Sequence, residues 1–144
     1  MPNASKEIVI DRPIDEVFAF LADAEHDTQW RPAVLDIRRV SGEGAGAVYE
    51  QGLKGPGGRR VAGDIEVTDY RPSELIAFRA IKGPVRPVGR YELSSEGGGT
   101  RVRFSLDADL AGPKKWLMGG AVQKAVNNEV GSLENLKRVL EAGA

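Results

Sequence analysis

Residues 112–144, GPKKWLMGGAVQKAVNNEVGSLENLKRVLEAGA, read as one long amphipathic helix, whereas nearly everything before them reads as strands that need a cover. Val122, Val126, Leu133, Leu136 and Leu140 recur at spacings of three, four or seven and form a single apolar stripe. Pro113 suits a first helical position and Gly143 a stop, as Pro13 suits the start of an earlier helix. Glu129 falls on the same stripe between Val126 and Leu133, so a carboxylate shares the face that meets the core.

The preceding chain supplies what that helix must cover. Ile8 and Ile10 alternate with polar neighbours in a first strand, and Arg12-Pro13 ends it. Ile14, Val17, Phe18 and Leu21 lie on one face of a short helix running to about Asp23, with Asp15 and Glu16 in its first turn. The polar stretch AEHDTQWRP reads as a loop or a single helical turn anchored by Trp30 and closed by Pro32. From residue 34 to residue 110, turns at SGEGAG, GPGG, RPSE, GPVRP and EGGG punctuate a series of strands. VAGDIEVTDY and TRVRFSLDADL are the longest. In the second, Val102, Phe104, Leu106, Ala108 and Leu110 alternate with Arg101, Arg103, Ser105, Asp107 and Asp109, the pattern of a sheet wet on one face.

These observations predict an α+β chain in which a curved antiparallel sheet of about seven strands wraps the C-terminal helix, a helix-grip arrangement, with short helices after the first strand. No internal repeat and no Ser/Gly linker divides the 144 residues, so a single domain over 1–144 is expected. A helix of roughly 30 residues spans about 45 Å, longer than such a sheet is wide. Gly119-Gly120 is the expected bend. A curled sheet and a bent helix do not pack flush, and the gap between them is the expected ligand cavity.

Composition narrows the function classes. Lys and Arg number 20 against 21 Asp and Glu, a net charge of -1, so no basic surplus draws nucleic acid or anionic lipid. There is no cysteine and one histidine, which excludes disulfides, thiolate catalysis and multi-His zinc sites; no cofactor or metal is expected. No apolar run reaches the length of a membrane span or marks a secretory signal, so a cytoplasmic protein without integral membrane association is expected, as monomer or homodimer. Asn3-Ala4-Ser5 is then read as a chance match to a glycosylation acceptor. Gly42, Gly44 and Gly46 are not a phosphate loop, because Val48-Tyr49-Glu50-Gln51 continues as a strand where a helix would be required.

The order strand, helix, short turn with Trp, meander, long helix resembles the START/Bet v 1-like (SRPBCC) superfamily, in particular its polyketide cyclase/dehydrase-like group. The phrases RPIDEVFAFLAD with Trp30 and Pro32 after it, GAGAVYEQ, VTDYRPSELIAFRA, YELSSEGGGTRVRFSLDADL and LENLKRVLE carry the resemblance and span most of residues 6–141. The resemblance implies a helix-grip fold around a hydrophobic cavity that holds a lipid, sterol, polyketide or similar small molecule. It brings no catalytic motif.

Candidate site residues follow from pattern. Glu129 in an apolar seam needs a partner or a raised pKa. It is either a polar anchor or acid/base group for a ligand, or the partner of a sheet arginine, with Arg79, Arg90 and Arg103 the candidates. His26, the one side chain that titrates near neutrality unaided, is either an acid/base group at a cavity mouth or a solvated residue of a polar turn. Tyr49 and Gln51 share one strand face, and Tyr91 lies on a face of another; they put polar tips into a pocket or are bonded core residues. Ile65, Val67, Phe78, Phe104 and Leu106, with Val122 and Val126 from the helix, would be the apolar lining. Trp116, Leu117 and Met118 are either a flap over the cavity or ordinary core.

Three readings follow: binding of a small hydrophobic molecule, a cofactor-independent polyketide cyclase/dehydratase-like enzyme, or a protein-interaction module whose cavity is vestigial.

Overall fold

The computed structural model describes residues 2–83, 85–108 and 113–143, with side chains of the last segment described from residue 119. Eight strands form one antiparallel sheet: β1 (Asn3–Ile10), β2 (Val34–Ser41), β3 (Val48–Lys54), β4 (Arg60–Ala62), β5 (Ile65–Arg71), β6 (Leu75–Ala80), β7 (Val88–Glu96) and β8 (Gly99–Asp107). Helix α1 (Ile14–Ala22) and a 3-10 helix (Ala24–Gln29) follow β1, and α2 (Pro113–Gly131) and α3 (Leu133–Glu141) close the chain. The sheet runs β1-β8-β7-β6-β5-β3-β2, with β4 paired to β3 beside β5. This is the expected helix-grip order, with the α1 excursion separating β1 from the meander it rejoins through β8.

Alternation sorts the faces as the sequence predicts. On β8, Val102, Phe104 and Leu106 are buried, as is Ala108 just after it, while Arg103 and Asp107 face solvent; Asp109 and Leu110, read as continuing this strand, lie outside the described residues. VAGDIEVTDY is not one strand. It breaks at Gly63-Asp64, where Gln51 of β3 accepts from Gly63 N–H through its backbone oxygen at 2.8 Å and donates from its side chain to the Gly63 carbonyl at 2.9 Å. The break turns about seven strands into eight. The glycine-rich turn between β2 and β3 carries positive φ at Gly42, Gly44 and Gly46, conformations that glycine adopts without strain.

The closing helix is interrupted, but at Ser132 and not at Gly119-Gly120, through which α2 runs as helix. Ser132 donates to the Glu129 carbonyl from both its N–H, at 3.1 Å, and its hydroxyl. That side-chain bond competes for an acceptor of the helical ladder at the point where α2 gives way to α3.

The two pieces pack differently. Leu133, Leu136 and Leu140 of α3 have no exposed surface and belong to the same core cluster as Ile10, Val17 and Val102, which are equally buried. Polar ties secure it: Lys6 to Glu134 at 3.0 Å, Arg12 Nη2 to the Glu141 carbonyl at 2.8 Å, and Asn135 Nδ2 to the Trp30 carbonyl at 3.1 Å. From residue 119 on, α2 buries Val122, Val126 and Val130 and is fastened to β1 by the Gln123 amide, which donates to and accepts from the Asn3 backbone.

Candidate functional site

The 3-10 helix ends at Trp30, whose N–H, like that of Arg31, donates to the Asp27 carbonyl; this turn puts Asp27 and Arg31 on one side. Both side chains are buried, and Arg31 Nη1 donates to Asp27 Oδ2 at 2.8 Å and to Gln51 Oε1 at 3.1 Å. Arg31 Nε donates to Glu129 Oε2 at 3.0 Å, and Nη2 donates to the same oxygen. Four of the five N–H groups of a guanidinium are therefore committed. Gln51 completes the cluster by joining Arg31 to the Gly63 carbonyl.

Glu129 accordingly meets a basic partner, but not one of the predicted arginines. Arg79, Arg90 and Arg103 lie on the outer face; Arg79 pairs with Glu66 at 2.7 Å and Arg90 with Glu92 at 3.4 Å. The partner comes from the polar stretch after α1, which composition suggested would be solvated. An Asp-x-x-x-Arg spacing bracketing Trp30 was the available signal.

One cation between two carboxylates leaves a formal charge of -1 when all three are ionised. Burial pushes Asp27 up to about 6, against the pull of Arg31 and with a further push from Glu129. Burial alone would depress Arg31, but Glu129 and Asp27 hold it well above its ordinary range, so it stays charged. The Tyr91 phenol, on β7, is raised well above its ordinary value by burial and by Asp27, with Arg31 opposing, and stays a neutral donor.

Tyr91 sits among aromatic rings, 4.5 Å from Phe104, 5.8 Å from Phe78 and 6.0 Å from Trp30 between centroids. It is 4% exposed, and its hydroxyl has no hydrogen-bond partner among the described residues. The Trp30 indole N–H is also without a partner in bonding geometry among them, though it lies near enough to Asp27 to lower that carboxyl slightly. A buried donor left unpaired costs about 1–3 kcal/mol.

The other predicted residues divide. Ile65, Val67, Phe78, Phe104, Leu106, Val122 and Val126 are buried in one core cluster with Tyr49 and Tyr91. Tyr49 does not point to the polar cluster: burial raises its phenol, and the Ala24 N–H, at the start of the 3-10 helix, opposes this. His26 stands apart, its ring stacked on Phe20 with centroids 4.4 Å apart and Nδ1 2.9 Å from the Phe20 carbonyl. It borders a shallow groove of about 340 Å³ with Glu16 and Gln29. The side chains of Trp116, Leu117 and Met118, the suggested flap, lie outside the described residues. A larger concavity, about 560 Å³, is walled mainly by outward-facing residues of the sheet, including Ser5, Arg79, Arg90, Arg103 and Ser105. Among the described residues no group of three or more His, Cys, Asp or Glu is placed to hold a metal, and no helix is long and apolar enough to cross a membrane.

An antiparallel sheet gripping a broken C-terminal helix, with a charged cluster buried against an aromatic interior, defines a START/Bet v 1-like protein. The chain belongs to the family described as polyketide cyclase / dehydrase and lipid transport, which it matches over residues 1–141. It is similar in structure to TTHA0849 from Thermus thermophilus, with 26% identity, a TM-score of 0.82 and coverage of 99% of this chain and 100% of that one. A START superfamily protein from Mycobacterium smegmatis shares the fold at 17% identity and a TM-score of 0.79, with 99% of each chain covered. So does the di-domain ARO/CYC StfQ from the steffimycin biosynthetic pathway, at 14% identity and a TM-score of 0.77, where 99% of this chain covers 52% of that one. Comparison with curated proteins returns no match.

Proposed function

We propose that the chain binds a small hydrophobic molecule, of lipid, polyketide or sterol-like type, between the inner face of the sheet and α2, with its polar end at the Tyr91 hydroxyl. The unpaired Tyr91 donor is the observation that carries this reading. A closed structural core satisfies its buried hydroxyls, and one left without an acceptor among aromatic rings is what a ligand oxygen would complete. Glu129, 16% exposed at its side chain, is the member of the ion cluster closest to water and marks the side of entry. Family membership supports the reading.

A second reading, a cofactor-independent cyclase or dehydratase, is favoured by Asp27. A carboxyl raised to about 6 beside a neutral phenol can hold and release a proton near neutral pH. Under this reading Asp27→Asn abolishes turnover of a reactive polyketone while leaving its binding intact.

Native mass spectrometry and a Nile red titration of the gently purified protein test the binding reading. A co-purifying hydrophobic species or saturable one-to-one Nile red fluorescence is expected. Repeated absence of both would remove it.

A further inference from the structure

We propose that the outer face of the sheet carries an anion site, formed by Arg90, Arg103, Ser5 and Ser105, which binds the phosphate group of a phosphorylated small molecule. The site lies across the sheet from the interior and does not rest on the binding reading above.

The register of three strands assembles it. Arg90 of β7 and Ser5 of β1 stand on either side of Ser105 of β8, and Arg103 lies two residues along β8, so all four side chains leave the same face. With Arg79 and Asp107 they border the concavity of about 560 Å³. Three arginines against one aspartate make this lining positive in a chain whose net charge is -1.

The donors gathered there are uncommitted. Other outer-face arginines are hydrogen-bonded to carboxylates, Arg38 to Glu50, Arg79 to Glu66, and Arg101 to Glu7 and Glu96. Arg90 approaches Glu92 only to 3.4 Å. Its guanidinium, that of Arg103 and the hydroxyls of Ser5 and Ser105 make no side-chain hydrogen bond among the described residues. Register places Glu7 and Glu92 opposite Arg103, but Arg101 holds the first at 3.0 Å and Arg90 draws the second.

Two guanidinium forks and two hydroxyls offer more donors than a carboxylate can use. They suit the terminal oxygens of a phosphate ester, which carries close to two negative charges at pH 7.5. Val88, 52% exposed, borders the same concavity, whose volume exceeds what a phosphate fills, so the ester has an apolar body to rest on it. A phospholipid surface fits less well, because Glu7, Glu50, Glu66, Glu92 and Glu96 share this face and would meet the same anionic plane.

The test is calorimetric titration at pH 7.5 and low salt with phenyl phosphate and with benzoate, beside co-sedimentation with four-to-one phosphatidylcholine–phosphatidate vesicles. Phenyl phosphate should bind about tenfold tighter than benzoate, inorganic phosphate should compete with it, and the protein should stay in the supernatant of the vesicles. Arg103→Gln should remove most of that advantage while leaving the melting temperature and Nile red fluorescence as in the wild type. Arg38→Gln, an outer-face change away from the concavity, should keep it. Phenyl phosphate binding no tighter than benzoate, or an advantage that survives Arg103→Gln or falls equally in Arg38→Gln, overturns the site. Sedimentation with the vesicles, whatever phenyl phosphate does, overturns its assignment to a small molecule. Nile red reports on the interior separately, so each of these failures leaves the binding reading standing.

Discussion

Arg31 donates to a single carboxylate oxygen of Glu129 from both Nε and Nη2, joining residues 98 positions apart in the chain. The segment after α1 and the end of α2 are thereby locked by a charge pair that is almost entirely out of water. The pair serves as a strut between the two segments.

Arg31→Met leaves Asp27 and Glu129 facing each other with no cation between them. Unfolding free energy should fall by about 3–5 kcal/mol, the usual cost of stripping one member from a buried ion cluster, read from urea denaturation. A loss below about 1 kcal/mol would show that the two carboxylates reach water in the folded protein.

Asp27 gives stability an unusual pH slope. Its folded value, about 6, lies above its unfolded value of 3.8, so the folded state holds the proton more tightly. The Asp27 contribution is fully present below pH 3.8 and is lost as pH rises through about 6. Glu96, Glu134 and Glu141, lowered by Arg101, Lys6 and Lys137, act in the opposite sense, so the comparison must be with Asp27→Asn. Urea unfolding across that window should show the wild type losing ground to Asp27→Asn as pH rises; a difference that stays constant would contradict the assignment.

The fold was legible because alternation along strands and the helical stripe are set by one physical demand, that apolar faces meet. Phe104, Leu106, Val122 and Leu136 declared themselves by spacing alone. The burial of Asp27 and Arg31 was not legible, since a polar loop looks the same in sequence whether it faces water or a carboxylate on a distant helix. Glu129 was visible as an anomaly; its partner was not. The interruption at Ser132 was not legible, because it turns on a serine hydroxyl that bonds the Glu129 carbonyl, an acceptor that regular helix would use.

Gly120 is exposed on α2, and a Cβ built there meets nothing within 4 Å. Gly120→Ala should therefore raise stability by about 0.5–1 kcal/mol, through the lower conformational freedom of the unfolded chain. Thermal denaturation reads the gain. A loss instead would mean that α2 needs the freedom of that glycine after all.

Tyr91→Phe removes a hydroxyl with no partner among the described residues. In the ligand-free protein it should leave the melting temperature unchanged or slightly raised, because no hydrogen bond is lost and a desolvated polar atom disappears. A destabilisation above about 2 kcal/mol would reveal a protein acceptor for that hydroxyl and would end its role as a ligand anchor.

The central claim, that a ligand oxygen reaches Tyr91 inside the sheet, is tested most directly by tyrosine ring-carbon NMR, since the chain holds only 3 tyrosines. With Cζ labelled, titration with 2-acetonaphthone should shift Tyr91 while leaving Tyr70, on the exposed surface against Phe18, and Tyr49, beside Ala24, nearly still. A saturable shift confined to Tyr70 or Tyr49, or a Tyr91 signal that does not move while ligand binds, would contradict the account.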